Sequence, residues 1–335
     1  MDMEIIKQLA ILIVGFALLV KGADLFVDGA SGIAKKFGIP ELIIGLTIVA
    51  MGTSAPEAAV SIAAAIKGSA GISIGNVIGS NIMNIFIILG AVAAIVPLKI
   101  ERSTIRYEMP YTILVTAFFV WMGKDGLITR IDGGILWAGL ILYIIYLIRQ
   151  SKQKSEEEIP AMVAADTVKS NVQETAADTT PEPAEQEHPS IIKLLALTVI
   201  GLVVILVSSD YAVDAAVALA KMFSISDRVI GLTIVALGTS LPELVTSVTA
   251  ALRGNADLAV GNVVGSCIFN ILFVLGTSAL ILPLACAPNF LSDAYVAVGA
   301  TVLLLIFGYT QMKIVRWEGW MLIGCYLAYG YFALV

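Results

Sequence analysis

The sequence predicts an all-α integral membrane protein: ten transmembrane helices, arranged as two inverted five-helix repeats with helices that break at the membrane midplane. Three observations predict this. The 335 residues are 59% hydrophobic and 14% charged, with mean hydropathy +0.94, whereas soluble domains carry about a quarter charged residues. Apolar runs recur that are long enough to cross a hydrocarbon core of roughly 30 Å. The chain also repeats itself, residue i matching residue i+186.

Span 1, near 5–33, follows the acidic start Asp2 and Glu4. It shows no cleavage pattern and outruns a signal peptide, so it reads as a span. Further apolar runs lie at about 39–66, 70–96, 107–123 and 133–149. A second set lies at about 190–222, 226–252, 256–283, 290–311 and 317–335. Glu41 and Asp227 stand where spans 2 and 7 begin, the helix end that favours an acid. Trp121, Trp137, Trp317 and Trp320 suit interfacial anchors, and Glu101, Arg102, Arg106 and Glu108 read as a solvated loop. Between the two sets, 151–189 holds nine acids against three lysines and almost no large apolar residues. Such a segment cannot bury enough surface to fold, so a disordered linker is expected. It contains no DxDxDG calcium loop. The expected domains are 1–150, the linker 151–189, and 190–335.

The repeat is carried by two motifs. GLTIVAMGTSAPE (45–57) lies on GLTIVALGTSLPE (231–243), and GNVIGSNIMN (75–84) lies on GNVVGSCIFN (261–270). About 30 of the 54 positions from 45 to 98 are identical, without a gap. The register extends backwards, where Asp24 and Asp28 meet Asp210 and Asp214. An odd number of spans per copy makes the second copy start on the opposite side, so the repeats are inverted. Six basic residues, Lys7, Lys67, Lys124, Arg130, Lys221 and Arg228, fall on the N-terminal side. The other fourteen, among them Lys35, Lys36, Lys99, Arg102 and Arg106, are assigned to the opposite side. The positive-inside rule then puts both termini outside and 151–189 in the cytoplasm of a multi-pass cell-membrane protein. Inverted repeats around broken helices describe a secondary transporter.

Within each repeat a proline and an acid stand side by side in an apolar run. Pro56 lacks an N–H and its ring collides with the carbonyl four residues back. The carbonyls of Gly52 and Thr53 should therefore loosen and seek another partner, and Pro242 does the same to Gly238 and Thr239. Glu57 and Glu243 each cost about 2.5–3.5 kcal/mol at mid-membrane, and an acid there marks an ion pathway by default. A protonated, hydrogen-bonded glutamate or a structural ion pair is the blander reading. Duplication at equivalent sites argues against it.

Thr53, Ser54 and Glu57 are spaced to share one helix face, as are Ser80 and Asn84 on the next span. Gly75 and Gly79 thin that span for close packing. The second copy supplies Thr239, Ser240, Glu243, Ser266 and Asn270. Folding the halves together would assemble two carboxylates, hydroxyls, amides and freed carbonyls. Cys267, Cys286 and Cys325 are far apart and His188 is the single histidine, so no Cys/His metal cluster is expected. An oxygen-only set suits hard cations, and Ca²⁺ tolerates its irregularity better than Mg²⁺. One such cavity can hold one Ca²⁺ or several Na⁺, but not both.

The paired GTS[AL]PE and GNV[IV]GS segments resemble the two α-repeats of the sodium/calcium exchanger branch of the calcium/cation antiporter superfamily, in its short prokaryotic form. The match is strong over 39–98 and 225–284. The resemblance implies that Glu57 and Glu243 bind Ca²⁺, with backbone carbonyls from Thr53 and Thr239. It implies Na⁺ sites at Ser54, Ser80, Ser240 and Ser266, with outlying ones at the carbonyls of Ala50 and Ala236. Asn84 and Asn270 would lie at the midplane. It further implies exchange of several Na⁺ for one Ca²⁺, about three to one, with spans 1 and 6 sliding to alternate access. Some relatives carry Asp where this chain has Asn270, so a K⁺ requirement is not expected. Cys267 replaces the Asn of position 81 and is expected to face packing.

A Ca²⁺/H⁺ antiporter using the same glutamates is the nearest rival, with a K⁺-dependent Na⁺/Ca²⁺ antiporter beside it. The hydroxyls around the acids favour Na⁺. A cation channel fits paired midplane acids less well than an occluding site does. No HExxH, GxSxG or paired-aspartate motif supports an enzyme. No cofactor and no nucleic-acid partner are expected: the partners are Ca²⁺, Na⁺ and the lipid bilayer, and the sequence leaves the oligomeric state open, a monomer being one plausible state. Asp24, Asp28, Asp210 and Asp214 read as interfacial acids bonded to helix ends, or as a gate or funnel for cations.

Overall fold

A computed structural model describes the backbone of residues 3–173, 189–223 and 236–334, and their side chains apart from 152–173, 220, 236, 333 and 334. Helix α1 runs Met3–Phe37. The next segment is discontinuous: α2 (Glu41–Ile44), a π-helical stretch Gly45–Val49, α3 (Ala50–Thr53) and α4 (Ala55–Ile66). Then come α5 (Ala70–Met83), a second π stretch Asn84–Leu89, and α6 (Gly90–Ile95). The two-residue strand β1 (Leu98–Lys99) precedes a third π stretch, Thr104–Glu108, that leads into α7 (Met109–Met122). Strand β2 (Leu127–Ile128) and α8 (Arg130–Gln173) end this half.

The second half opens on α9 (Ile191–Met222) and resumes at α10 (Ala236–Thr239) and α11 (Leu241–Leu252). It continues through α12 (Ala256–Phe269), a π stretch Asn270–Leu275, α13 (Gly276–Ile281) and β3 (Leu284–Ala285). It closes with α14 (Pro288–Gln311), β4 (Lys313–Ile314) and α15 (Arg316–Leu334). The boundaries of α3 to α6, β1, β2 and the start of α8 recur 186 residues later as those of α10 to α13, β3, β4 and the start of α15.

Among the described residues six helices are long and apolar enough to cross a membrane, and Glu41–Thr53 with Ala55–Ile66, bent by 50°, makes a seventh. The helix through Ala256–Ile281 is the most enclosed, with 94% of its apolar window buried, against 28% for Ile191–Leu219. The α5 and α12 hairpins therefore form the centre, and α1 and α9 pack on each other at the margin. Outward faces are apolar: Ile13, Leu114, Leu142, Val199 and Leu327 are all more than half exposed. Water would oppose such faces, and lipid tails do not.

Contacts between the halves come in exchanged pairs. β1 pairs antiparallel with β4, Leu98 opposite Ile314, and β2 with β3, Ile128 opposite Leu284. Arg130 donates to the carbonyl of Ile281, and Arg316 donates to that of Ile95, both at 3.3 Å. Close crossing of the centre depends on glycine. A Cβ on Gly261 would lie 2.7 Å from the carbonyl oxygen of Leu42, and one on Gly265 would lie 2.8 Å from Leu46 Cα. The matching neighbours of Gly75 and Gly79, expected to pack closely, fall within 224–235, outside the described residues.

Three sequence expectations change. The linker begins as helix, since α8 continues to Gln173. Low apolar content forbids a packed core, but Glu, Lys, Gln and Ala favour helix without one. Residues 174–188 lie outside the described residues. Glu108 is not solvated: it is fully buried and accepts from Tyr146 Oη at 3.2 Å and Gln150 Nε2 at 3.4 Å. Helical backbone begins at Arg102 rather than 107 and runs through the π stretch Thr104–Glu108, where Glu108 faces inward. Trp137 is no interfacial anchor, for its indole N–H donates to Thr277 Oγ1 at 3.1 Å and its ring meets Phe273 edge-on. Glu41 does open α2, while Asp227 lies outside the described residues.

Gly261→Ala should destabilise the chain by about 1–3 kcal/mol, the usual cost of overpacking a tight interior. Gly299→Ala, on an open face of α14, should not. Thermal unfolding in detergent compares the two, and equal midpoints would contradict the packing described.

Candidate cation site

Both glutamates are fully buried. The chain stops being helical at Ser54 (φ −80°, ψ 11°) and at Ser240 (φ −90°, ψ 7°), one residue pair ahead of each proline. Pro56 and Pro242 then sit in the first turns of α4 and α11, where a missing N–H costs nothing. Glu57 and Glu243 follow in those same turns. A helix start carries N–H groups without helical partners and a partial positive charge, so it favours an anion.

The break also re-aims the serines. Ser54 and Glu57 were expected to share a helix face. Helical spacing ends at Ser54, and its hydroxyl instead donates to Glu243 Oε1 at 2.8 Å in the other half. Ser240 donates to Glu57 Oε1 at 3.0 Å. Each carboxylate is thus held by the serine of the opposite repeat. Thr53 is buried and also faces across, donating to Asn262 Oδ1 at 3.0 Å. The Ala50 carbonyl accepts from the Ser54 N–H at 3.0 Å. The Gly238 carbonyl, expected to lose its helical partner, accepts from Ser209 Oγ at 3.2 Å. Thr239 is half-buried beside Glu57. Of Ala236 only the backbone is described, as the first residue of α10.

Ser80, Asn84, Ser266 and Asn270 are all buried, and Asn84 and Asn270 each start a π stretch. Such stretches leave the regular carbonyl ladder and often mark functional sites. Among the described residues, Glu57 Oε2, Glu243 Oε2, Ser266 Oγ, Asn270 Oδ1 and both amide atoms of Asn84 have no hydrogen-bond partner. Buried polar groups are nearly always paired, so these orphan oxygens are what a hard cation would satisfy.

Sequence reasoning missed three asparagines. Asn262 donates to the Glu243 carbonyl at 3.4 Å and to Ser247 Oγ at 2.9 Å, and Asn76 does the same to Glu57 (3.2 Å) and Ser61 (2.8 Å). Their identity in both GNV motifs was the available signal. Asn81 takes the Asn270 amide at 3.1 Å and donates to the Cys267 carbonyl at 3.0 Å. Cys267 packs with its sulfur 3.9 Å from the Asn81 carbonyl. It stands where Asn81 stands in the first copy, so Asn84 lacks the amide partner that Asn270 has.

Asn262→Ala should lower stability by about 1–3 kcal/mol, because it strands buried partners in both halves. Asn76→Ala should cost less, since Asn76 is only half-buried. Thermal midpoints of the two variants check the order, and a reversed order would contradict the role given to Asn262.

The chain matches the family model described as "Sodium/calcium exchanger protein" over residues 7–152 and 193–335. It is 39% identical over 323 residues to a putative antiporter, CaxA, of Alkalimonas amylolytica, covering 95% of this chain and 96% of that one. It is 37% identical to the sodium/calcium exchanger MaX1 of Methanosarcina acetivorans, again over 95% and 96%. A solved structure of the sodium-calcium exchanger NCX_Mj, soaked with 10 mM Na⁺ and 10 mM Sr²⁺, superposes with TM-score 0.78 at 33% identity, covering 97% of each chain. With both halves matched and the fold shared nearly end to end, the chain belongs to the sodium/calcium exchanger protein family.

Proposed function

We propose that this chain is a Na⁺/Ca²⁺ antiporter that exchanges one Ca²⁺ for several Na⁺ at a single site between its two halves. Membership of the family makes it a membrane transporter rather than an enzyme. The observation that carries the finer reading is the reciprocal pair of bonds, Ser54 to Glu243 and Ser240 to Glu57, beside orphan oxygens on both glutamates. Two carboxylates neutralise one Ca²⁺. Carbonyls of Thr53 and Thr239 would complete its shell. Na⁺ would use Ser54, Ser80, Ser240 and Ser266 with the carbonyls of Ala50 and Ala236, and Asn84 and Asn270 would line the midplane.

Because the glutamates serve both ions, occupancy is exclusive, and exclusive occupancy couples the fluxes. The ten-span, two-repeat inverted plan is part of this reading. Support comes from element boundaries repeating at 186 and from contacts exchanged between halves. In it both termini face outside and the 151–189 segment is cytoplasmic. About three Na⁺ per Ca²⁺ makes the cycle electrogenic, and α1 and α9 move across the core to expose the site to each side in turn.

Purified protein in Na⁺-loaded liposomes should take up radioactive Ca²⁺ against an outward Na⁺ gradient, faster when an imposed potential holds the interior positive, because about three Na⁺ leave for each Ca²⁺ that enters and net positive charge moves out. Glu57→Gln and Glu243→Gln should each reduce uptake to the level of empty liposomes. Uptake driven equally by a pH gradient without Na⁺ would instead favour proton coupling, and activity surviving in either variant would displace the site.

A further inference from the structure

Arg253 follows the last residue of α11, the helix that Glu243 opens. Its guanidinium donates through Nη2 to Asp24 at 2.7 Å and through Nη1 to Asp28. Lys21 lies 3.7 Å from Asp24. The two acids are one turn apart on α1. Two residues past Arg253, Asn255 donates to Ser31 Oγ at 2.8 Å, so α1 is tied to the end of α11 at successive turns. A polar cleft beside Val27 and Lys35 borders this cluster.

The offset of 186 maps Asp24 and Asp28 onto Asp210 and Asp214 of α9, and Arg253 onto Lys67 at the end of α4. These three counterparts are exposed, and among the described residues none of them makes an ion pair. The same charges are therefore engaged in one half and disengaged in the other. Packing follows the charges: α1 lies along α11, while α9 is not packed along α4 to a comparable extent. The two outer helices are bound to each other without slack. A Cβ on Gly201 would lie 2.5 Å from Phe26 N, and one on Gly29 2.6 Å from Thr198 N. They can shift against the core only as one body.

We propose that Asp24/Asp28–Arg253 and Asp210/Asp214–Lys67 are a reciprocal pair of ionic latches, one at each mouth of the site. Movement of α1 with α9 that breaks one brings the other together. The Arg253 mouth is latched in this structure. This rests on the alternating-access reading above, and it assigns residues that no ion-binding role uses. Arg bridges two carboxylates at once, whereas Lys is a point charge. The intrinsic balance therefore favours the state with the Arg253 mouth closed, and ion binding at the centre needs to overcome only that small bias. Partly exposed pairs of this kind shift a two-state balance by about three- to tenfold.

The test places a cysteine reporter at each mouth, Val27→Cys or its repeat counterpart Val213→Cys, in the full chain held in nanodiscs. Reaction rates with a charged, membrane-impermeant maleimide are corrected for the parent chain. Arg253→Gln should speed labelling at position 27 and slow it at 213, each about three- to tenfold. Lys67→Gln should shift both reporters in the opposite direction, and Arg253→Lys should fall between the parent and Arg253→Gln, because a lysine cannot bridge both carboxylates. A purely structural role for Arg253 would move both reporters in the same direction, which would overturn the proposal. Unchanged rates would do so as well. Na⁺-driven Ca²⁺ uptake is measured on the same preparations. Opposed shifts without such uptake would leave the latch standing and sink the antiporter reading. Uptake with flat labelling would sink the latch alone.

Discussion

Ser54 donates a hydrogen bond to Glu243, Ser240 donates one to Glu57, and neither bond could form if the helices ran on unbroken. The break turns each serine out of its own helix face and towards the other half. The same break starts a new helix at the glutamate, where free N–H groups temper the cost of a buried acid. Proline fits this position because it lacks the N–H that a first turn leaves unused. One local event thus places a carboxylate, aims a hydroxyl and links the repeats. The remaining architecture keeps two such events face to face.

Keeping them together requires a dense centre. The α12 hairpin crosses the broken segment of the first half at glycine contacts that admit no Cβ. The two small β bridges and the arginine bonds to Ile281 and Ile95 fasten the ends of one half to the other. Among the described residues the outer pair α1 and α9 has less of this fastening, chiefly the Arg253 cluster, the Asn255 bond to Ser31 and the Ser209 bond to Gly238. A rigid centre with a loosely held outer pair is the mechanical division that alternating access needs.

Much of this was legible in the sequence, for a physical reason. Duplicated residues at one offset must occupy equivalent environments, so Glu57 and Glu243 identify each other without any structure. The helix break was legible from proline. Its consequence was not, because the face presented by Ser54 depends on dihedral angles at the break and on a partner 189 residues away. The π stretches were equally hidden, being built from ordinary helix formers whose extra residue per turn is set by packing. Glu108 looked solvated because its partners Tyr146 and Gln150 come from another helix. Asn76 and Asn262 could have been found, since both copies of the GNV motif carry them.

The most direct test of one shared, mutually exclusive site is equilibrium binding rather than flux. Radioactive Ca²⁺ binding to the purified chain is measured by equilibrium dialysis over a series of Na⁺ concentrations. The account predicts one Ca²⁺ per chain, with apparent affinity falling more steeply than the first power of Na⁺ concentration. Ca²⁺ affinity that stays constant as Na⁺ rises would mean separate sites and would contradict the account.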